Sequence, residues 1–233
     1  AEAMRRIDAL ANRAFTGPML RGEYPSDLLE DTASVTDWSF IRDGDLADIH
    51  QPIDVLGVNY YSTATVRMWD GVSPKQQNDG HKGAEGGTAW PGSDQVVEFV
   101  EQPGPYTAMG WNIAPEGLEE LLVSLHDQFP GQALMVTENG AAFDDTVAAD
   151  GSVPDPERLD YLRRHFTAAH RAMARGVDLR GYFVWSLLDN FEWGYGYAKR
   201  FGIVRVDFNT LERTVKDSGR WYQQLVATHR IPA

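Results

Sequence analysis

Three short apolar runs, IDVLGVNYY (53–61), ALMVTEN (133–139) and GYFVWSLL (181–188), lack polar alternation, and this constrains the fold more than any other feature of the chain. Strands of that kind are expected where both faces of a sheet are covered, as in parallel sheets flanked by helices. Helical segments lie between them. In PEGLEELLVSLHDQF, Pro115 suits a first helical position, and Leu118, Leu121, Leu122, Leu125 and Phe129 keep one apolar face until Gly131. In DPERLDYLRRHFTAAHRAMARG, Asp155 is placed to cap and Pro156 to start, and Leu159, Leu162, Phe166, Ala169 and Met173 recur at helical spacing up to Gly176. The second and third runs each follow a helix and a brief Gly-containing turn, which predicts β-α-β-α-β order.

A first helix is expected over AEAMRRIDALANRA, with Met4, Ile7, Leu10 and Ala14 on one side and no capping residue before it, as though cut rather than begun. Another covers about residues 217 to 229, with Trp221, Leu225 and Val226 as its apolar side. FGIVRVDF (201–208) reads as an extra hairpin strand, because no crossover helix fits before it. Between Thr63 and Trp111 runs a long aperiodic stretch with Gly71, Gly80, Gly83, Gly86, Gly87 and Gly92; loops of that length shape sites or move. A complete eight-fold βα barrel takes about 250 residues. Only three barrel-type strands are recognisable, so the expected fold is α/β and part of such a barrel.

Thirty-four acidic against 21 basic residues give a formal charge of -13, which repels phosphate backbones and anionic lipid surfaces. Nucleic acid and membrane are thus not expected partners. The absence of cysteine excludes disulfides, thiolate metal sites and a Cys nucleophile within the chain. No apolar run approaches the roughly 20 residues of a membrane helix, so a soluble protein is expected, the cytoplasm favoured over secretion.

Each strand ends in groups able to carry chemistry: Asn59, Tyr60 and Tyr61 after the first, Glu138 and Asn139 after the second, and a dense aromatic and polar cluster after the third. In parallel βα folds the carboxyl ends of the strands form the reaction face. Alone, Glu138 reads equally as a turn or helix cap. An unpaired charge at the end of a buried strand is costly, however, and the Tyr61 phenol is a candidate partner that would keep it ionised. In FVWSLLDNFEWGYGYAKRFG, Phe183, Phe191 and Tyr195 read as core, whereas Trp185 and Trp193 lie beside carboxylates and amides, a pairing that suits sugar rings.

GVNYYS, MGWNIAPEGL, VTENG and WSLLDNFEWGYGYAKRFGIVRVDF, in this order and spacing, resemble the C-terminal half of the family 1 glycoside hydrolases, the β-glucosidase and β-galactosidase family. The resemblance runs from RGEYP at 21–25 through the last helix. It implies that residues 1–233 are the C-terminal portion of a single (β/α)8 TIM barrel whose N-terminal half is absent, and a retaining double displacement on a small-molecule β-glycoside, with no metal or organic cofactor. Glu138 matches the family's nucleophile and Tyr61 the residue that orients it. Asn59 matches a polar position of the sugar site, Trp185 the platform under the glycone, and Glu192 and Trp193 the groups that bind its outer hydroxyls. Phe201 matches a wall of the site, and Trp111 the platform for the leaving group.

The second carboxyl of that mechanism lies in an Asn-Glu-Pro motif in the family, and none occurs here. Glu23 and Glu116 read as caps, and Asp189 as a residue that orients loop backbone, so the acid/base is expected on the missing N-terminal half. Glu192 argues for a neutral glycone, since relatives that act on phosphorylated sugars carry serine there. A non-catalytic half-barrel or carbohydrate-binding subunit remains open, because binding groups outlast lost catalysis.

Overall fold

The computed structural model describes residues 1–73 and 90–232. In chain order the strands are β1 (Leu56–Asn59), β2 (Thr65–Met68), β3 (Val97–Val100), β4 (Leu134–Asn139), β5 (Leu179–Val184), β6 (Val204–Val206) and β7 (Arg213–Val215). The helices are α1 (Glu2–Asp8), α2 (Ala14–Arg21), α3 (Ser26–Asp31), α4 (Asp45–Ile49), α5 (Pro115–Gln128), α6 (Pro156–Ala174) and α7 (Asp217–Thr228). They fall into two compact units, residues 1–53 with 64–103 and residues 54–63 with 104–233.

The second unit is built on a parallel three-stranded sheet in the order β1-β4-β5, with α5 between β1 and β4 and α6 between β4 and β5. Val58 and Tyr60 next to β4's Leu134 and Val136 meet Leu118, Leu122 and Val123 of α5 and Ala169 and Ala172 of α6. Full burial of each larger aliphatic side chain there contributes roughly 1.5–3 kcal/mol. The expectation of strands buried on both faces is not met. Both helices cover the same side, and the alternate residues Gly57, Asn59, Thr137 and Phe183 stay exposed. Side chains of neighbouring strands still meet on that open face, where a methyl added to Gly181 would touch Met135 at 3.1 Å.

A second core joins α6 to α7 and the β6–β7 hairpin through Tyr161, Leu162, Ile203 and Trp221. The segment expected as a hairpin strand indeed forms one, paired with Arg213–Val215, while Val204 also bridges in parallel to Leu188. Asp155 does not cap its own helix. Its carboxylate accepts from the Ser218 backbone N–H at 2.8 Å and hydroxyl, and so caps α7 instead. Met173 and Val226, expected on apolar faces, are 49% and 53% exposed, since each lies at the rim of its helix's buried stripe.

In the first unit, α1, a π-helical turn (Ala9–Arg13) and α2 run on to Gly22, beyond the expected end because Pro18 is accommodated inside α2. Ala3 and Ile7 face Val97 and Phe99, leaving Met4 65% exposed. Arg5 and Arg13 both bind Asp27, and Arg5 and Arg6 bind Asp31. Part of the stretch expected as loop forms the antiparallel pair β2–β3. Its glycines Gly80, Gly83, Gly86 and Gly87 lie outside the described residues. No helix of the described residues is long and apolar enough to cross a membrane.

His165 stacks on Tyr161 with ring centroids 3.8 Å apart, its Nδ1 2.8 Å from the Tyr161 carbonyl, and its Nε2 has no partner among the described residues. Burial pulls its pKa down to about 4 from the ordinary 6.5. The folded protein therefore holds it neutral, and the unfolded chain takes up a proton first as the pH falls. The associated stability, on the order of 3 kcal/mol, is fully present above pH about 6.5 and is lost as the pH falls towards about 4. His165→Phe should flatten the fall in unfolding free energy across that window, as read by urea denaturation at a series of pH values.

Candidate active site

The first three register pairs of β1 and β4 run in step, Leu56 with Leu134 to Val58 with Val136, and then the ladder slips so that Asn59 lies opposite Glu138. The slip carries the end of β1 alongside the acid. The Tyr60 N–H donates to the Glu138 carbonyl at 2.9 Å, while the Tyr60 ring turns into the helix-side core. Tyr61, on the other side by strand alternation, donates its hydroxyl to Glu138 Oε2 at 2.7 Å. Asn59 Oδ1 accepts from the Thr137 hydroxyl at 2.7 Å.

Around this pair stand aromatic rings. Trp111 lies 5.3 Å from Tyr61, and Phe201 lies 6.3 Å from Tyr61 and 6.1 Å from Trp111. Burial pushes the Tyr61 phenol up first, followed by its hydrogen bond to Glu138 and the charges of Glu138 and Glu192. It therefore remains a neutral donor throughout the ordinary pH range, and the Glu192 charge is felt at the same hydroxyl.

The loop after β5 supplies the rest. The Trp185 N–H donates to the Asn139 carbonyl at 2.9 Å, and the Trp185–Ser186 peptide is cis. Gly140 is required for this approach, because a Cβ there would sit 1.7 Å from the Trp185 carbonyl oxygen. Glu192 is 7% exposed, and its N–H bonds the Gly196 carbonyl at 2.7 Å. Trp193 opens a single 3-10 turn and is 81% exposed, so it lies outside the packed rings of Tyr61, Trp111 and Phe201. Phe183 and Phe191, expected in the core, are 57% and 60% exposed. Phe183 belongs to the open face of the sheet, and Phe191 meets the Tyr197 ring edge-on at 5.4 Å.

A buried charge network anchors this loop. Asp189 accepts from the N–H groups of Gly202 at 3.0 Å and Val206 at 3.3 Å, and pairs with Arg200 at 2.5 Å and Lys216 at 2.9 Å. Lys216 also reaches Asp145, which meets Arg158, which in turn binds Asp155. Arg200, Lys216 and Arg158 thus balance Asp189, Asp145 and Asp155. Burial depresses the Lys216 pKa, as does the Arg158 charge, and both aspartates oppose the shift. Sequence reasoning assigned Asp189 to loop backbone but missed Lys216 and Arg158. The available signal was Arg158 in helical phase with Leu162 and His165 on the buried side of α6. Among the described residues no cluster of His, Asp or Glu could hold a metal ion.

Parallel βα units that present an oriented carboxylate among aromatic rings, at the carboxyl ends of their strands, have the arrangement of a barrel-type glycosidase. The chain belongs to glycosyl hydrolase family 1, whose profile matches residues 1–231. It is 51% identical to a bifunctional β-D-glucosidase/β-D-fucosidase of Bifidobacterium breve, over 98% of this chain and 49% of that protein. It is 43% identical to β-glucosidase A of Thermotoga maritima, over 93% of this chain and 44% of that one. A psychrophilic β-glucosidase from Micrococcus antarcticus superposes with a TM-score of 0.91 at 48% identity, covering 98% of this chain and 49% of that structure. The chain spans about half the length of these relatives.

Removing one member of a buried ion network leaves its partners charged and unpaired, which costs about 3–5 kcal/mol. Asp189→Ala should lose that much in urea unfolding. Asp178→Ala, which breaks only the exposed pair with Arg180, should lose at most about 1 kcal/mol. Equal losses at the two positions would contradict the anchoring role.

Proposed function

We propose that this chain is the C-terminal portion of a single (β/α)8 barrel and carries the nucleophile of a retaining β-glycosidase that hydrolyses β-linked glucosides or galactosides. The observation that carries the reading is the 2.7 Å hydrogen bond from Tyr61 to Glu138 at the carboxyl ends of adjacent parallel strands. A phenol donating to one carboxylate oxygen fixes the orientation in which the carboxylate attacks the anomeric carbon. The resulting glycosyl ester is then hydrolysed by water. Trp185 serves as the platform for the glycone, Asn59, Glu192 and Trp193 bind its hydroxyls, Phe201 closes one wall, and Trp111 supports the leaving group.

Retaining chemistry needs a second carboxyl about 5–5.5 Å from the first, protonated so that it can donate to the departing oxygen. Asp189 is engaged by two cations and two backbone N–H groups as an anchor of its loop. Glu116 lies in the first turn of α5, and no Asn-Glu-Pro occurs in the sequence. The acid/base is therefore assigned to the upstream half of the barrel, in keeping with the half-length coverage of the relatives. A buried carboxylate at Glu192 repels a phosphate dianion, which supports a neutral glycone.

This chain alone should be inert towards an aryl β-glucoside and active once the upstream half is supplied; turnover by the chain alone would place the acid/base within it. In the assembled enzyme Glu138→Gln should lower kcat on the order of ten-thousand-fold with unchanged thermal unfolding, and retained turnover would remove Glu138 from the chemistry. A sugar-binding half-barrel without catalysis would instead quench tryptophan fluorescence with a thio-glycoside and remain inactive in the assembly.

A further inference from the structure

The residue after the proposed nucleophile is more completely engaged than the nucleophile itself. Asn139 is fully buried and, as the next residue of β4, turns to the opposite side from Glu138. Its Nδ2 donates to the Tyr60 carbonyl at 2.8 Å and to the Tyr161 hydroxyl at 2.9 Å, and its Oδ1 accepts from the Tyr182 hydroxyl at 2.5 Å. The Tyr161 hydroxyl in turn donates to the Tyr61 carbonyl at 3.4 Å. One amide thus holds two successive carbonyls of the chain leaving β1, the first directly and the second through a phenol.

Those two carbonyls belong to the segment that follows the register slip. Had β1 and β4 stayed in step, Tyr61 would be displaced along the strand by about 3.3 Å, one residue's rise. Its hydroxyl would then lie well beyond hydrogen-bond reach of Glu138. The backbone of Tyr60 is held on both sides of its Cα, its N–H donating to the Glu138 carbonyl and its C=O accepting from the Asn139 amide. We infer that Asn139, with Tyr161 and Tyr182, forms a positioning network that holds the slipped register of β1 on β4 and thereby sets the Tyr61–Glu138 hydrogen bond. This rests on the reading of Glu138 as nucleophile.

The chemistry admits an amide and little else. A backbone carbonyl only accepts, so the group facing Tyr60 must donate, and the group facing the Tyr182 hydroxyl must accept. Aspartate in the same volume would turn an oxygen towards the Tyr60 carbonyl, and leucine would leave several buried polar groups unpaired. Burial raises the phenols of Tyr161 and Tyr182 well above their ordinary value, so both keep the protons they donate.

Two measurements test the network. Fluorotyrosine incorporated at position 61 of this chain reports its hydroxyl environment by fluorine NMR. Asn139→Asp should move that resonance towards its position in Glu138→Ala. Tyr161→Phe, which removes only the relay, should move it the same way by less, and covers the case in which Asn139→Asp fails to fold. An unmoved resonance in a folded variant overturns the inference.

In the assembled enzyme Asn139→Asp should lower kcat by roughly 10- to 100-fold, the scale of one lost hydrogen bond to a charged group, with KM changed less than about twofold. Combined with Tyr61→Phe it should be no slower than the slower single variant. A double variant slowed by the product of the two effects means that Asn139 does not act through Tyr61, and overturns the inference. Turnover that survives Glu138→Gln would refute the catalytic reading instead, and the fluorine measurement still decides the positioning network.

Discussion

β4 has to satisfy two neighbours at once, and the rest of the larger unit depends on that double pairing. Its backbone bonds β1 on one side and β5 on the other, its helix-side residues fill the core between α5 and α6, and its last residues must stop where chemistry can begin. The slip between Val58 and Asn59 reconciles these demands. The first half of the ladder keeps the apolar side chains in phase with the helices, and the second half places a phenol beside a carboxylate. Gly140 then removes the one side chain that would keep the β5 loop from closing on the end of β4.

The loop after β5 is held differently. Backbone bonds join its Ser186–Asp189 stretch to Phe201–Val204, and charge adds to them: Asp189, whose side chain is fully buried, gathers two backbone N–H groups and two cations. Such a network contributes little net stability compared with an apolar substitute, but it penalises any arrangement in which one member is missing. It suits a segment that runs from Trp185 to Phe201 outside the three-stranded parallel sheet.

The sheet and its helices were legible in the sequence because apolar runs and helical periodicity are local signals. Glu138 and Tyr61 were legible because an acid and a phenol at adjacent strand ends are chemically conspicuous. The β2–β3 pair was not, since four-residue strands carrying Arg67 and Glu98 show no apolar run, and their charges pair only once the strands meet. The roles of Asn139, Asp155 and Lys216 were hidden for a common reason. Each is a polar residue whose partners lie far away in sequence, and its local context suggests a turn or a cap. Asp155 illustrates this best, for it stands at the start of one helix and caps another. Phe183 and Phe191 misled in the opposite direction, as their hydrophobicity says nothing about which face of a sheet is covered.

The Asp155 contact gives the last helix a significance beyond packing. Lys216 and Ser218, at its start, are bound to aspartates that also hold the loop bearing Phe201 and the first turn of α6. The turn before them, Asn209 to Glu212, is exposed and is the natural place for a protease to cut. Release of the segment beyond such a cut would take a buried cation out of the middle of the network. The helix therefore does more than pack, since its start supplies a cation around which the loop bearing Phe201 is built.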